Sequence, residues 1–406
     1  MNYFLEHNRY MHLIGICLLF MCAWFFSLHK KSINKRLIVQ CFLFELCLAF
    51  VSLKTSIGTF VMESVGQAIT VLYNLAEQAI GFVFGKLMFV QAPWEFIFAV
   101  RVLPVVIFFG FLMALLYALG ILQRVIAFFE YLLKPVLATT GVQATILLAN
   151  AFLGQTESTL VIRQYIAQLN PPELFMYMVS GMGVLSAALI AVYSSMGFPA
   201  QHLFTANMMA IVGTALMARI IYPLEASQNE AVKASTTNHT TFVEYVLQGI
   251  YDGLSIALNV GAMLIVFLSL LGLINTIIGY AGSFFGYSWL SLNAIIGFLG
   301  APVGWLLGLQ GAEMKVAGEL LGIRLVSNEM VAYTLLLTKQ LSARAHLIIM
   351  YALAGGANIS SIAVQLATIG ALESSQRRVV ARLGWYALLA ATLSNLLTAC
   401  IIGLMI

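Results

Sequence analysis

The sequence predicts an all-α polytopic membrane protein with about eight transmembrane helices, two re-entrant helical hairpins and an interfacial helix, arranged as an inverted repeat. Three observations predict it. Hydrophobic residues make up 61% of the 406 and charged residues only 9%, against about 45–50% and about 25% in a soluble domain. Apolar runs recur near the roughly 20 residues that a helix needs to cross a bilayer. Two apolar stretches are broken mid-way by polar clusters that lipid would not admit. These proportions exclude a soluble enzyme, a disordered chain and a secreted disulfide scaffold. A net charge of +4 is too small and too dispersed for nucleic-acid binding.

The spans fall at 12–28, 37–53, 102–123, 174–200, 201–223, 245–275, 343–371 and 380–405. The first reads as a retained span, because the residues before it lack a strongly basic region and no small-residue cleavage site stands out. Trp24, Trp94 and Trp385 sit near run ends, where interfacial aromatics are common. Residues 54–92 are amphipathic at helical spacing and suit a helix along the interface or a subunit contact. Residues 142–169 and 311–341 are the interrupted stretches, which suit hairpins buried in protein. The polar stretch 224–242 divides the chain. The segments are then 1–95 (spans 1–2 and the interfacial helix), 96–223 (span 3, first hairpin, spans 4–5), the loop 224–242, and 243–406 (span 6, second hairpin, spans 7–8). The five cysteines, Cys17, Cys22, Cys41, Cys47 and Cys400, lie in apolar stretches without paired spacing and read as small hydrophobes.

Orientation follows from basic residues. Lys30, Lys31, Lys35 and Arg36 place the first loop in the cytoplasm, and Arg377 and Arg378 belong on the same side. Eight crossings then put both termini outside, in the periplasm. The sequon Asn238-His239-Thr240 falls in the long cytoplasmic loop and reads as chance.

The halves echo one another. Lys134-Pro135-Val136, Gly141-Val142-Gln143 and Gly154-Gln155-Thr156-Glu157 in the first correspond to Ala301-Pro302-Val303, Gly308-Leu309-Gln310 and Ser327-Asn328-Glu329 in the second. Each polar cluster precedes a span interrupted by small residues, at Ser180-Gly181-Met182-Gly183 and at Gly355-Gly356-Ala357-Asn358. The first hairpin enters from the cytoplasm and the second from outside, so the repeats are inverted. Paired interrupted segments are the sequence pointer to a transporter's midplane site.

Glu157 and Glu329 carry the strongest chemical signal. A carboxylate at the bilayer centre costs roughly 2.5–3.5 kcal/mol on insertion scales, and such groups are functional by default. A polar substrate site at the hairpin tips accounts for them. The bland alternative is a helix-packing ion pair, such as Glu329 with Arg324. Asn358, Ser360 and Ser361 follow a Gly-Gly break, where unwound backbone offers groups to a ligand. They also suit hydrogen bonding between helices. Glu313, Lys315 and Glu319 are spaced to pair locally on one helix. Glu45 and Asp252 are lone acids that suit a subunit contact or an interface, with a proton relay as the functional alternative. His202 and His346 fall near span ends. No nucleotide-binding loop, metal motif or Ser/His/Asp set stands out, so neither an enzyme nor a bound cofactor is expected.

Several stretches carry a family resemblance. They are Gly154-Gln155-Thr156-Glu157, Tyr193-Ser194-Ser195-Met196-Gly197, Val316-Ala317-Gly318-Glu319, Ser327-Asn328-Glu329-Met330-Val331-Ala332-Tyr333, Ala357-Asn358-Ile359-Ser360-Ser361-Ile362-Ala363 and Leu393-Ser394-Asn395-Leu396. With these, the sequence from about residue 10 to 405 resembles the concentrative nucleoside transporters. The resemblance implies the concentrative nucleoside transporter fold, a homotrimer in which each subunit has eight spans, two re-entrant hairpins and an interfacial helix. It also implies cation-coupled import of nucleosides across a bacterial inner membrane by elevator-like alternating access. By that likeness Gln155, Thr156 and Glu157 contact the nucleobase, with Leu189 on its apolar side. Glu329, Asn358 and Ser361 fall on the ribose positions. The coupling ion would be held by the Asn150 side chain and by backbone carbonyls near Leu153, Val184 and Leu185.

Two departures from the family pattern bear on mechanism. Val184 stands where the family carries a Ser or Thr hydroxyl, which leaves sodium and proton coupling both open. Gly356 stands where the family usually has an aromatic residue, which leaves substrate range open. The implied partners are a nucleoside, a coupling cation (Na+ or H+), membrane lipid and copies of the chain. The competing readings are a non-transporting membrane protein that keeps a gate-like domain, and a transporter of another small polar solute.

Overall fold

A computed structural model describes residues 9–88, 97–156, 158–223, 242–284, 286–287 and 290–406. Glu157, Trp94, the sequon at Asn238 and nearly all of the polar stretch 224–242 lie outside the described residues. The described residues form helices and no strand. Among the described residues, seven helices are long and apolar enough to cross a membrane, or eight if one sharply bent pair counts as a span.

The helices in chain order are α1 (Arg9–Phe25), α2 (Lys35–Lys54), α3 (Ser56–Phe84), α4 (Leu103–Ala118), α5 (Ile121–Leu137), α6 (Gly141–Leu153), α7 (Ser158–Ile166), α8 (Pro171–Gly183) and α9 (Ala187–Ser195). They continue as α10 (Ala200–Ile221), α11 (Phe242–Phe284), α12 (Leu292–Leu306), α13 (Gly311–Val326), α14 (Glu329–Leu336), α15 (Ala343–Leu353), α16 (Ile359–Leu372) and α17 (Arg377–Met405). The halves correspond element by element. In each, a helix with an internal proline (Pro135 in α5, Pro302 in α12) leads into a helix–break–helix unit, α6–α7 or α13–α14. A broken span follows, α8–α9 or α15–α16.

Local chemistry sets these boundaries. Thr140 and Gln143 form a capping box at the start of α6, and Asn170 and Glu173 form one at the start of α8 behind Pro171. Each box satisfies two of the N–H groups that a helix start leaves without partners. The boxes are joined, because Gln143 Nε2 donates to Glu173 Oε1 at 3.0 Å. The first hairpin and the first broken span therefore share one fixed base.

Burial separates the helices into two populations. The most apolar windows of α8–α9, α10 and α17 are 83%, 89% and 78% buried within the chain, and those of α3 and α11 only 11%. Phe60, Phe82, Ile265 and Tyr280 on these two helices face outward. Apolar surface on that scale is covered by hydrocarbon or by another protein. The long uninterrupted α3 occupies the segment expected to be amphipathic and interfacial. It meets the rest of the chain through small residues, including Gly58, Gly66 and Ala76.

α4 and α11 approach through glycine. A Cβ on Gly249 would lie 2.3 Å from Ala114 Cβ, and one on Gly253 would lie 2.8 Å from Ile107 Cα. Gly249 and Gly253 are one turn apart, the small-xxx-small spacing that lets membrane helices pack backbone to backbone. Asp252, on the same turn, accepts a local hydrogen bond from Gln248 (2.7 Å). Glu45 is fully buried between helices and accepts from Thr398 Oγ1 at 2.9 Å.

Candidate functional site

Four helix breaks define the site. Gly154, at φ +104°, ends α6 at the first hairpin tip. Val184 turns extended and ends α8. Asn328 starts α14 by accepting from Val331 N (2.9 Å), and Asn358 starts α16 by accepting from Ser361 N (2.9 Å). A helix start concentrates free N–H groups and partial positive charge. Glu329 is the first residue of α14 and sits in that field.

The side chains at these breaks form one network. Asn358 Nδ2 donates to Glu329 Oε2 at 3.2 Å. Asn358 Oδ1 accepts from Ser360 Oγ at 2.6 Å. Ser361 Oγ donates to Gly356 O at 2.7 Å and accepts from Gln155 Nε2 at 3.4 Å. Gln365 Nε2 donates to Gln155 Oε1 at 3.3 Å and to Met178 O at 3.1 Å. Tyr177 Oη donates to the Gln155 carbonyl at 2.7 Å. Residues 206 and 210 positions apart in sequence, Gln155 on the first hairpin tip and Ser361 and Gln365 on α16, are thus neighbours, and Asn358 extends the network to Glu329 on α14. The structure brings together four predicted residues: Gln155, Glu329, Asn358 and Ser361. Thr156 is exposed at the tip, and its carbonyl accepts from the Thr159 hydroxyl. Leu189 is half-buried on α9, where its N–H is capped by Ser186 (3.3 Å). Glu157 lies outside the described residues.

Two carboxylates are placed differently from the bland readings. Arg324 does not neutralise Glu329 by a direct ion pair. Its Nη1 donates to Ala352 O (2.6 Å) and Asn395 Oδ1 (3.2 Å). Glu319 pairs with Lys339 Nζ (2.8 and 3.0 Å to its two oxygens) and accepts from Asn293 Nδ2 (2.9 Å). The pairing therefore runs from α13 to the end of the hairpin's second arm, rather than along one helix. Glu313 accepts from Ser342 N (2.8 Å), joining the same hairpin to the start of α15.

The candidate coupling-ion residues gather where α6 and α8 end. Asn150 is fully buried. Its Nδ2 donates to Ser180 Oγ (2.7 Å) and Tyr177 O (3.2 Å), and its Oδ1 accepts from Ser158 Oγ (2.5 Å). Leu153 is the last residue of α6, and Val184 follows α8 directly. Leu185 N donates to Asn207 Oδ1 (2.9 Å), whose Nδ2 donates to Ala151 O (3.1 Å). Asn207 thus clips the first break to the end of α6. Val184 supplies no hydroxyl here. Those of Ser158 and Ser180 touch Asn150 instead, and oxygen ligands of this kind suit a hard cation.

Sequence reasoning did not single out Gln365, Tyr177, Ser158 or Asn207, and it read Ser180 only as part of the small-residue interruption at 180–183. Gln365 carried a usable signal. It lies seven residues after Asn358 and four after Ser361, on the same helix face. Tyr177, Ser158 and Asn207 carried none, since their partners lie on neighbouring helices whose packing no spacing within one helix specifies.

The chain matches known proteins along its length. Residues 14–87 and 202–403 match the families described as Na+ dependent nucleoside transporter N-terminus and C-terminus, and residues 99–199 match one described as nucleoside recognition. Nucleoside permease NupC of Helicobacter pylori is 35% identical over 404 residues, covering 97% of each chain. Sodium/nucleoside cotransporter 1 of Mus musculus is 29% identical over 412 residues, covering 96% of this chain and 63% of that protein. The solved structure of CNTnw in an inward-facing substrate-bound state superposes with a TM-score of 0.91 at 35% identity, covering 97% of each chain.

Proposed function

The chain belongs to the Na+ dependent nucleoside transporter family, and from that premise we propose that it is a secondary active symporter importing nucleosides across a bacterial inner membrane. One observation carries this reading. Polar side chains from the first hairpin tip and from the second broken span meet in a network that ends on the Glu329 carboxylate. A carboxylate and an amide accept from ribose hydroxyls, and charge-assisted bonds are about twice as strong as neutral ones. Gln155, Thr156 and Glu157 would face the base, with Leu189 on its apolar side. Glu329, Asn358 and Ser361 would face the sugar. The coupling ion would sit by Asn150 and the carbonyls of Leu153, Val184 and Leu185.

The motion proposed is elevator-like. The two hairpins and two broken spans move together past a scaffold built on α3, α4 and α11. The low burial of α3 and α11 supports this division, since those helices have apolar surface to give to lipid and to the other subunits of a homotrimer. One positive charge crossing ~100 mV contributes about 2.3 kcal/mol, and a tenfold ion gradient adds about 1.4 kcal/mol. One coupled ion therefore sustains accumulation of roughly several-hundred-fold.

The test is uptake of radiolabelled uridine and adenosine into proteoliposomes, with sodium and proton gradients varied separately. Concentrative uptake under one gradient supports the reading and names the ion. No uptake under either, beside intact protein, favours a non-transporting gate protein.

A further inference from the structure

We propose that Gln365 is a positioning residue that fixes which end of the Gln155 amide is donor and which is acceptor, and thereby sets base selectivity; this rests on the nucleoside reading above. A glutamine amide presents an oxygen acceptor on one side and an NH2 donor on the other. Left free, it turns over and suits opposite ligand edges equally. Here the polarity is dictated from both ends.

At one end stands the Met178 carbonyl, which can only accept. The Gln365 atom 3.1 Å from it must be the NH2 donor. The second hydrogen of that group points to Gln155 at 3.3 Å, so the Gln155 atom there is Oε1. At the other end, Ser361 Oγ has one hydrogen. Its short contact is to the Gly356 carbonyl at 2.7 Å. The nearby Asn358 atom is also an acceptor, because it receives the Ser361 backbone N–H at 2.9 Å. Ser361 Oγ is therefore left to accept, and the Gln155 atom facing it at 3.4 Å is the NH2. Two backbone carbonyls, on α8 and in the second break, thus fix the same orientation of Gln155.

The packing is built for this chain of bonds. Gln365 is fully buried, and its Oε1 has no partner among the described residues. A Cβ on Gly181 would lie 2.7 Å from Gln365 Nε2 and 3.1 Å from Gln155 Cβ. Glycine at 181 therefore leaves the room that the amide occupies. With its polarity fixed, Gln155 retains one N–H and one lone pair for a ligand, in a set order. The 4-oxo and 4-amino pyrimidines present acceptor and donor in opposite orders at positions 3 and 4. A fixed amide distinguishes them, because the mismatched base leaves buried polar groups unpaired.

The test is binding of uridine and cytidine to the purified full chain in detergent, by calorimetry, for wild type, Gln365→Met and Gly181→Ala. Wild type is expected to separate the two ligands by about tenfold in Kd, which is about 1.4 kcal/mol. Gln365→Met is expected to bring the ratio to within about threefold of unity while 2′-deoxyuridine keeps its affinity relative to uridine. Gly181→Ala, which displaces the amide without removing it, should shift the ratio the same way and serves if Gln365→Met does not fold. A wild-type ratio near one, or a ratio that both folded variants leave unchanged, overturns the proposal and leaves nucleoside transport standing. Absence of nucleoside binding by folded wild type overturns the functional reading itself, and this inference with it.

Discussion

Arg324 Nη1 donates to Asn395 Oδ1 at 3.2 Å, and through that one contact the second hairpin is tied to both helix breaks. Asn395 Nδ2 donates in turn to Gly183 O (2.7 Å), at the first break, and to Ala354 O (2.9 Å), at the second. Both side chains are buried. A broken helix leaves carbonyls without their usual partners, and inside a membrane no water replaces them. Asn395, on α17, answers the two breaks with one amide.

Asn395→Ala should therefore destabilise out of proportion to its size. It strands two carbonyls and removes a partner from a buried guanidinium, at roughly 1–3 kcal/mol for each unsatisfied group. The expected result is a clear fall in the midpoint of thermal unfolding in detergent, with loss of uptake. A midpoint equal to wild type contradicts the role given to Asn395.

Glu329→Gln should weaken nucleoside binding by roughly 10–100-fold, since a hydrogen bond to a charged group contributes about 1.5–3 kcal/mol. The variant keeps an oxygen to accept from Asn358 Nδ2, so the helix start and the fold should survive. Calorimetry with uridine reads the change. Unchanged affinity refutes Glu329 as a ribose contact.

Val184→Ser tests the ion. It adds a hydroxyl at the end of α8, close to the Asn150, Ser158 and Ser180 group. If that region holds sodium, the sodium concentration for half-maximal uptake should fall several-fold in the variant. Uptake that follows the proton gradient alone, before and after the substitution, removes sodium from the mechanism.

The Glu319–Lys339 pair should stabilise the second hairpin measurably. Its side chains are only 12% and 25% exposed, so solvent screens it less than a surface pair. A double-mutant cycle with Glu319→Gln and Lys339→Met should give a coupling of about 1 kcal/mol in unfolding experiments. Strictly additive effects would show that the two arms are held by packing alone.

Much of the architecture was legible from local patterns. The apolar runs, the prolines at 135 and 302, and the polar clusters at 154–157 and 327–329 each act within a few residues, and the corresponding helices and breaks stand where those patterns put them. That Gln155, Glu329, Asn358 and Ser361 lie at helix breaks was legible for the same reason, since each falls in or beside a polar cluster within apolar sequence. Glu319 misled because helical spacing offered Lys315 as a near neighbour. The hairpin fold offered Lys339 instead, at hydrogen-bonding distance from both carboxylate oxygens.

The sequence by itself determined that the chain is a helical membrane protein with two matched halves, and which few polar residues lie deep within it. Those facts follow from composition and from hydrogen-bond demands met inside single segments. Only the tertiary structure decided how those polar groups are partnered. Gln365 and Gln155 are 210 residues apart and Asn395 and Gly183 are 212 apart. No local rule of spacing reaches that far. The buried amides find their partners only after the two halves have packed, because only then are carbonyls from both breaks within reach of one side chain.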